Sequence, residues 1–158
     1  MIRPYLPSDK PALIALLKLN IPQYFAETEE TDFIAYLEKH LEDYFIVEEA
    51  GTIVGAGGIN YFPEERLARL SWDIVHPDFQ GKGIGTKLTQ HRINHISNNP
   101  TIDQVIVRTS QLVYKFYERL GFVLERTGKD YWAKGFDLYQ LCLPLKKATI
   151  IIENLGTR

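Results

Sequence analysis

The segment HPDFQGKGIGTKL, residues 76–88, places Gly81, Gly83 and Gly85 alternately with Lys82 and Ile84. It lies between a stretch that reads as a strand, LARLSWDIV at 67–75, and one that reads as a helix, TKLTQHRINHIS at 86–97. A loop that leaves a strand and opens a helix carries several backbone N–H groups without helical partners, at the positive end of the helix dipole. Such a loop is an anion site, and glycines let the backbone approach a phosphate closely. The ligand implied is a phosphate or pyrophosphate.

Two phosphate-binding patterns do not fit. A Walker loop requires Gly-Lys followed by Ser or Thr, whereas Lys82 is followed by Gly83. A dinucleotide fingerprint requires G-x-G-x-x-G after an early strand, with an acid about twenty residues later at a strand end. The spacing here is G-x-G-x-G, mid-chain, and Asp103 marks no clear strand end.

Working outward, the N-terminal side offers a short strand at Met1 to Leu6, an N-cap in Pro7-Ser8-Asp9, and a helix over ALIALLKL. An irregular acidic stretch, NIPQYFAETEET, precedes a second helix in DFIAYLEKHL, and strands at Tyr44 to Glu48 and Thr52 to Tyr61 form a hairpin around Ala50-Gly51. Strict alternation in 67–75 puts Leu70, Trp72 and Ile74 on one face and Arg69, Ser71, Asp73 and Val75 on the other. On the C-terminal side follow a strand in IDQVIVRT, a helix in VYKFYERLGF stopped by Gly121, and two strands, FVLERTG and FDLYQLCL, around the DYWAKGF connection. The fold class expected is mixed α+β: a central, largely antiparallel sheet with helices on both faces. Residues 1–144 suit one domain, and the tail 145–158, with its β-prone ATIII, would add an edge strand or meet a partner chain.

Composition narrows the function. The chain of 158 residues is 45% hydrophobic and 24% charged, the balance of a soluble globular protein with a real core. Net charge is −2, but residues 1–65 hold twelve acids against four bases and residues 66–158 hold eight against fourteen. The basic half suits a phosphorylated ligand and the acidic half a cationic one. No basic patch with interleaved aromatics suggests nucleic acid. No signal-peptide pattern and no membrane-length apolar run is present, so a cytoplasmic protein with no membrane association is expected. The single cysteine, Cys142, sits in LYQLCLPL and reads as a structural thiol.

Together, Gln80, Gly83 and Gly85 satisfy [QR]-x-x-G-x-[GA], and about thirty residues on stands YKFYERLGF. The two motifs and the element order over residues 1–144 resemble the GNAT superfamily of acetyl-CoA-dependent N-acetyltransferases. The resemblance implies a splayed sheet whose strands at 67–75 and 104–109 part to admit the pantetheine arm, which pairs with backbone groups of Ile74 and Val75. The N–H groups of Gly81, Lys82, Gly83, Ile84, Gly85 and Thr86 would hold the pyrophosphate, Gln80 would order the loop, and Ser110 stands where many members carry an asparagine that bonds pantetheine. Lys115 and Arg119 are candidates for the adenosine 3′-phosphate or plain solvated residues.

The implied chemistry is direct attack of a neutral amine on the thioester. An alkylammonium has a pKa near ~10.4, so a base is expected. Many members use a glutamate where this chain has Arg69; Asp73, placed on the same face by alternation, is the candidate here. Val75 N–H would stabilise the oxyanion, and Tyr117 would protonate the departing thiolate, its pKa near ~10 being close to that of the thiol. The cosubstrate is acetyl-CoA, with no metal. The acceptor, a small amine or peptide amine, would enter between Asn20 to Thr31 and Tyr131 to Phe136. There Glu27, Glu29, Glu30 and Asp32 suit a cationic amine, and Tyr24, Tyr131 and Trp132 an apolar portion. A non-catalytic acyl-CoA sensor and a peptide or protein acetylase are the competing functions, and a monomer or homodimer is the expected assembly.

Overall fold

A computed structural model describes residues 1–146. Seven strands form one sheet in the order β1-β2-β3-β4-β5-β7-β6. In chain order the elements are β1 (Ile2–Pro4), α1 (Lys10–Lys18), α2 (Glu29–Ala35), β2 (Asp43–Glu49), β3 (Thr52–Phe62) and β4 (Leu67–Val75), then α3 (Ile84–Ser97), β5 (Gln104–Thr109), α4 (Tyr114–Arg119), β6 (Val123–Ala133) and β7 (Phe136–Pro144). Every strand pair is antiparallel except β4 with β5, which the α3 crossover makes parallel. The mixed α+β architecture read from the sequence is what folds.

Each face of the sheet buries its own core. Against α1 and α2, Leu13, Leu17, Phe33 and Tyr36 meet Tyr44, Ile46, Ala56 and Ile74; against α3 and α4, Ile84, Leu88, Ile96 and Tyr117 meet Phe45, Val54, Leu70, Val105 and Val107. Alternating strand residues therefore divide between two apolar layers, which makes a register slip costly.

Two features position the site. First, β4 pairs with β5 only from Leu67 against Gln104 to Leu70 against Val107. Beyond that point the strands diverge, and a V opens in the middle of the sheet. Second, β4 carries a bulge: Ala56 faces Ile74 and Gly58 faces Ser71, so Trp72 and Asp73 share Gly57 as their opposite. Trp72 takes φ of 52°, a left-handed conformation that is costly for a bulky residue. It is held there from both ends. Its carbonyl accepts from the buried Tyr44 hydroxyl at 2.9 Å, and its indole packs among Phe25, Phe33 and Tyr36 with ring centroids 5.0 to 6.3 Å away.

The bulge corrects the alternation expected for this strand. Leu70 belongs to the α3–α4 core, yet Trp72 and Ile74 lie in the α1–α2 core. Asp73 is therefore turned to the opposite face from Arg69 and Ser71.

Smaller differences have local causes. Asp9 does not cap α1 with its side chain; its carboxylate is drawn to the Arg3 guanidinium in two 2.8 Å contacts and to Leu6 N–H at 2.7 Å. The second helix begins earlier than expected, at Glu29, whose carboxylate accepts from Ala26 N–H at 2.7 Å, and it ends in a π-helical turn, Tyr36–His40. The DYWAKGF connection is mostly strand, with Ala133 paired to Phe136. The edge strand expected of the tail falls largely on residues 147–158, outside those described.

Candidate active site

A cleft of about 1390 Å³ opens at the V between β4 and β5. The loop after β4 reaches it through a 3-10 turn, Pro77–Phe79, in which the His76 ring accepts from Asp78 N–H at 3.1 Å. Gly81 and Gly83 follow with φ of 76° and 81°, and Gly83 is the N-cap of α3. No atom stands within 4 Å of where a Cβ of Gly83 would lie, so glycine is required there by backbone angle alone. Gly85 has a different reason. A Cβ there would lie 3.2 Å from the Phe116 ring, so this glycine lets α3 settle against α4 rather than clearing space for phosphate.

Of the residues singled out in the sequence, Asp73, Val75, Gln80, Gly81, Gly83, Ile84, Gly85, Thr86, Ser110 and Tyr117 line the cleft, together with Lys115 and Arg119. The Ile74 side chain is buried in the α1–α2 core, and Lys82 lies with its ammonium 5.0 Å from the Phe79 ring. The Ser110 hydroxyl oxygen accepts from Leu112 N–H at 3.2 Å, shaping the turn into α4.

Asp73 and Tyr117 are brought together, in an arrangement that alternation did not foresee. The Tyr117 hydroxyl donates to Asp73 Oδ2 in a short contact. Arg92, on α3 and 0% exposed, donates from Nη1 to Asp73 Oδ1 at 2.5 Å and from Nη2 to Oδ2 at 2.7 Å. Arg92 Nη1 also donates to the Gly58 carbonyl at 3.0 Å. Burial opposes the guanidinium's charge, but Asp73 more than offsets this and the pKa of Arg92 is raised. Tyr117 is 3% exposed, and its pKa stands well above the usual phenol value, first through burial and then through the Asp73 charge. It stays protonated and is a weaker acid than the free phenol on which the expectation rested. Both Asp73 oxygens are engaged, Oδ1 by Arg92 and Oδ2 by Arg92 and Tyr117.

Sequence reasoning missed Arg92, although the signal was present: it falls with Leu88 and Ile96 on the buried stripe of α3. An arginine on an apolar stripe implies a buried partner. The expected acceptor elements do border the cleft, through Asn20, Tyr24, Phe25, Glu29, Asp32, Trp132 and Phe136. Their acids are partly committed, since Glu29 holds Ala26 N–H and Glu30 lies 3.7 Å from Lys18.

A sheet split at its one parallel junction, with a glycine loop and helix N-terminus beside it, defines an acyl-CoA-type transferase fold. The model of the acetyltransferase (GNAT) domain matches residues 40–124, more than half of the chain. The chain belongs to the GNAT acetyltransferase family. An amino-acid acetyltransferase of Actinobacillus pleuropneumoniae serotype 3 is 31% identical over 91 residues, 58% of this chain and 20% of that protein. The matched region thus spans about a fifth of the length of such curated relatives. Among solved structures, the ribosomal-protein-S18-alanine N-acetyltransferase of Escherichia coli superposes with a TM-score of 0.76 at 19% identity, covering 94% of this chain and 95% of that one. An aminoglycoside 6'-N-acetyltransferase complexed with coenzyme A superposes at 0.72 and 15% identity, covering 91% and 96%. At these identities the structures show the fold. Among the described residues no helix is long and apolar enough to cross a membrane.

Proposed function

We propose that the protein is an acetyl-CoA-dependent N-acetyltransferase that moves the acetyl group to a primary amine by direct attack in a ternary complex. The observation that carries this reading is the continuity of one cleft from the glycine loop, through the gap between β4 and β5, to the Tyr117–Asp73–Arg92 cluster.

The chain's own groups divide the work. Amides from Gly81 to Thr86 take the pyrophosphate, with Gln80 supporting the loop and Lys82 adding charge. Beyond Leu70 the edge of β4 is released from β5; the Ile74 backbone is turned to Ala56 of β3, so the groups that face the gap are those of Val75, which can pair with the pantetheine arm as with a missing strand. Ser110 closes the other wall. The amine nitrogen attacks the thioester carbon while Val75 N–H supports the oxygen, which gains charge as the tetrahedral centre forms. The C–S bond then breaks, and the thiolate leaves against the Tyr117 hydroxyl.

Tyr117 is the catalytic residue of this scheme and Asp73 a positioning residue, which Arg92 orients. The single Tyr117 hydroxyl proton is held by Asp73 in this structure, so the hydroxyl turns from the carboxylate to the sulfur as the C–S bond breaks; being a weakened acid it lends a hydrogen bond there, and the amine's proton departs through cleft water.

Tyr117→Phe tests the assignment, with thiol release measured over a panel of amines and peptides. Turnover should fall roughly 10²-fold with acetyl-CoA affinity within about twofold. Unchanged turnover would remove Tyr117 from the mechanism. A wild-type protein that binds acetyl-CoA yet transfers to nothing would instead be a sensor module.

A further inference from the structure

Two arginines that the scheme above does not use lie on the α1–α2 side of the cleft, Arg69 on β4 and Arg108 on β5. Arg69 is in register with Ile106. Arg108 is therefore one pleat further along the neighbouring strand, on the same face, about 8 Å away by strand geometry. That is where the strands begin to part.

Each guanidinium is fixed over aromatic rings instead of being paired with an acid. Arg69 lies 4.8 Å from the Phe62 ring centre. Arg108 lies 5.0 Å from that of Tyr131 and 5.7 Å from that of Trp132, and donates from Nη2 to the Tyr131 hydroxyl at 2.5 Å. Among the described residues neither forms an ion pair, and Arg108 Nε is buried with no hydrogen-bond partner. The pKa of Arg69 is lowered, first by burial and then by the Arg108 charge, which outweighs that of Glu65.

Two like charges held side by side in a cleft, with donors to spare, are a site waiting for an anion. Planar guanidinium forks match a carboxylate bidentately. Of the acidic side chains expected to recognise a cation, Glu27, Glu29, Glu30 and Asp32, two are committed elsewhere, Glu29 to Ala26 N–H and Glu30 to Lys18, and Asp32 borders the cleft.

We propose that Arg69 and Arg108 form a carboxylate clamp in the acceptor site, so that the amine this protein acetylates belongs to a molecule bearing a carboxylate, such as a free amino acid. This rests on the acetyltransferase reading and narrows its substrate class. The clamp holds the carboxylate on the α1–α2 face, while Asp73 and Tyr117 address the thioester from the other.

Matched pairs test it: the protein α-amino acids against their carboxamides, and phosphoethanolamine against ethanolamine, with CoA release as readout. Carboxylates should exceed carboxamides in kcat/KM by roughly 10- to 100-fold, the range expected from losing a charge-assisted contact. Arg69→Gln and Arg108→Gln should each erase most of that preference by raising acceptor KM, with acetyl-CoA Kd unchanged, and Arg108→Lys should keep part of it. Carboxamides acetylated as well as the acids, a preference for phosphoethanolamine alone, or variants that lose acetyl-CoA affinity would each overturn the clamp. If the wild type acetylates none of these, nor any amine or peptide of the wider panel, the acetyltransferase reading falls separately. Calorimetry of the same pairs on the acetyl-CoA-loaded protein then decides the clamp: tighter carboxylate binding that Arg69→Gln abolishes supports it, and equal binding refutes it.

Discussion

Asp73→Asn, Arg92→Met and their double variant measure how far the buried ion pair sustains the fold beneath the cleft. In Asp73→Asn the Arg92 charge, 0% exposed, keeps only neutral acceptors, the new amide oxygen and the carbonyls of Gly58 at 3.0 Å and Leu88 at 3.4 Å. An uncompensated buried charge costs about 3–5 kcal/mol, so a loss near 4 kcal/mol is expected. In Arg92→Met the abandoned carboxylate is 20% exposed and retains the Tyr117 donor, so water relieves part of the penalty and about 3 kcal/mol is expected. The double variant removes both charges and leaves mainly lost packing and an orphaned Gly58 carbonyl. It should cost about 4 kcal/mol rather than about 7, a coupling near 3 kcal/mol. Urea unfolding with a constant m-value is the assay. Losses that add to within about 0.5 kcal/mol would refute mutual compensation. Against a typical domain stability of about 5–15 kcal/mol, either single change leaves a marginal protein.

The remaining predictions concern backbone and charge. Gly57→Ala puts a Cβ 2.7 Å from Arg92 Nη1 and 2.9 Å from Asp73 Oδ1, and it should destabilise by about 1–3 kcal/mol while slowing turnover, read by denaturation and thiol release together. Gly83→Ala meets no neighbour but must hold φ of 81°, so it should cost about 1–2 kcal/mol and weaken acetyl-CoA binding, measured by calorimetry, without lowering m. Hydrogen bonds from Arg3 hold the Asp9 carboxyl below the usual carboxylate range. Its contribution is therefore complete above the unfolded pKa of about 3.9 and disappears as pH falls through the lower folded value. Asp9→Asn should lose about 2 kcal/mol at pH 7, and its stability should fall less steeply than the wild type's below about pH 4, as thermal melts across that window would show.

Much of this was legible because the signals were local. Period-two strands, the glycine loop and the helix stopped at Gly121 follow from neighbouring residues alone. The inversion at Trp72 was not, since nothing in LSWDIV marks tryptophan for a left-handed backbone. The nearest hint lay on the partner strand, where GAGG at 55–58 announces a close backbone approach within an extended run. Arg92 and Asp73 are nineteen residues apart. Their union depends on the crossover that carries α3 over the sheet, so a pattern read along the chain pointed Asp73 to the wrong side. Arg69 and Arg108 were hidden for the same reason: they become neighbours only when β4 and β5 align in parallel.

The inverted residue in β4 has a consequence for how such a protein can change. A regular strand is a rigid ratchet, in which any one-residue insertion or deletion carries every following side chain to the opposite layer. Here the extra residue works as a clutch between two segments of one strand. Arg69 and Ser71, upstream of it, answer to the α1–α2 layer, and Asp73 and Val75, downstream, to the α3–α4 layer. Substitutions in the first segment can therefore retune what is brought to the reaction without disturbing the Tyr117–Asp73–Arg92 chain. The two halves of β4 are free to evolve at different rates while sharing a single hydrogen-bonded backbone.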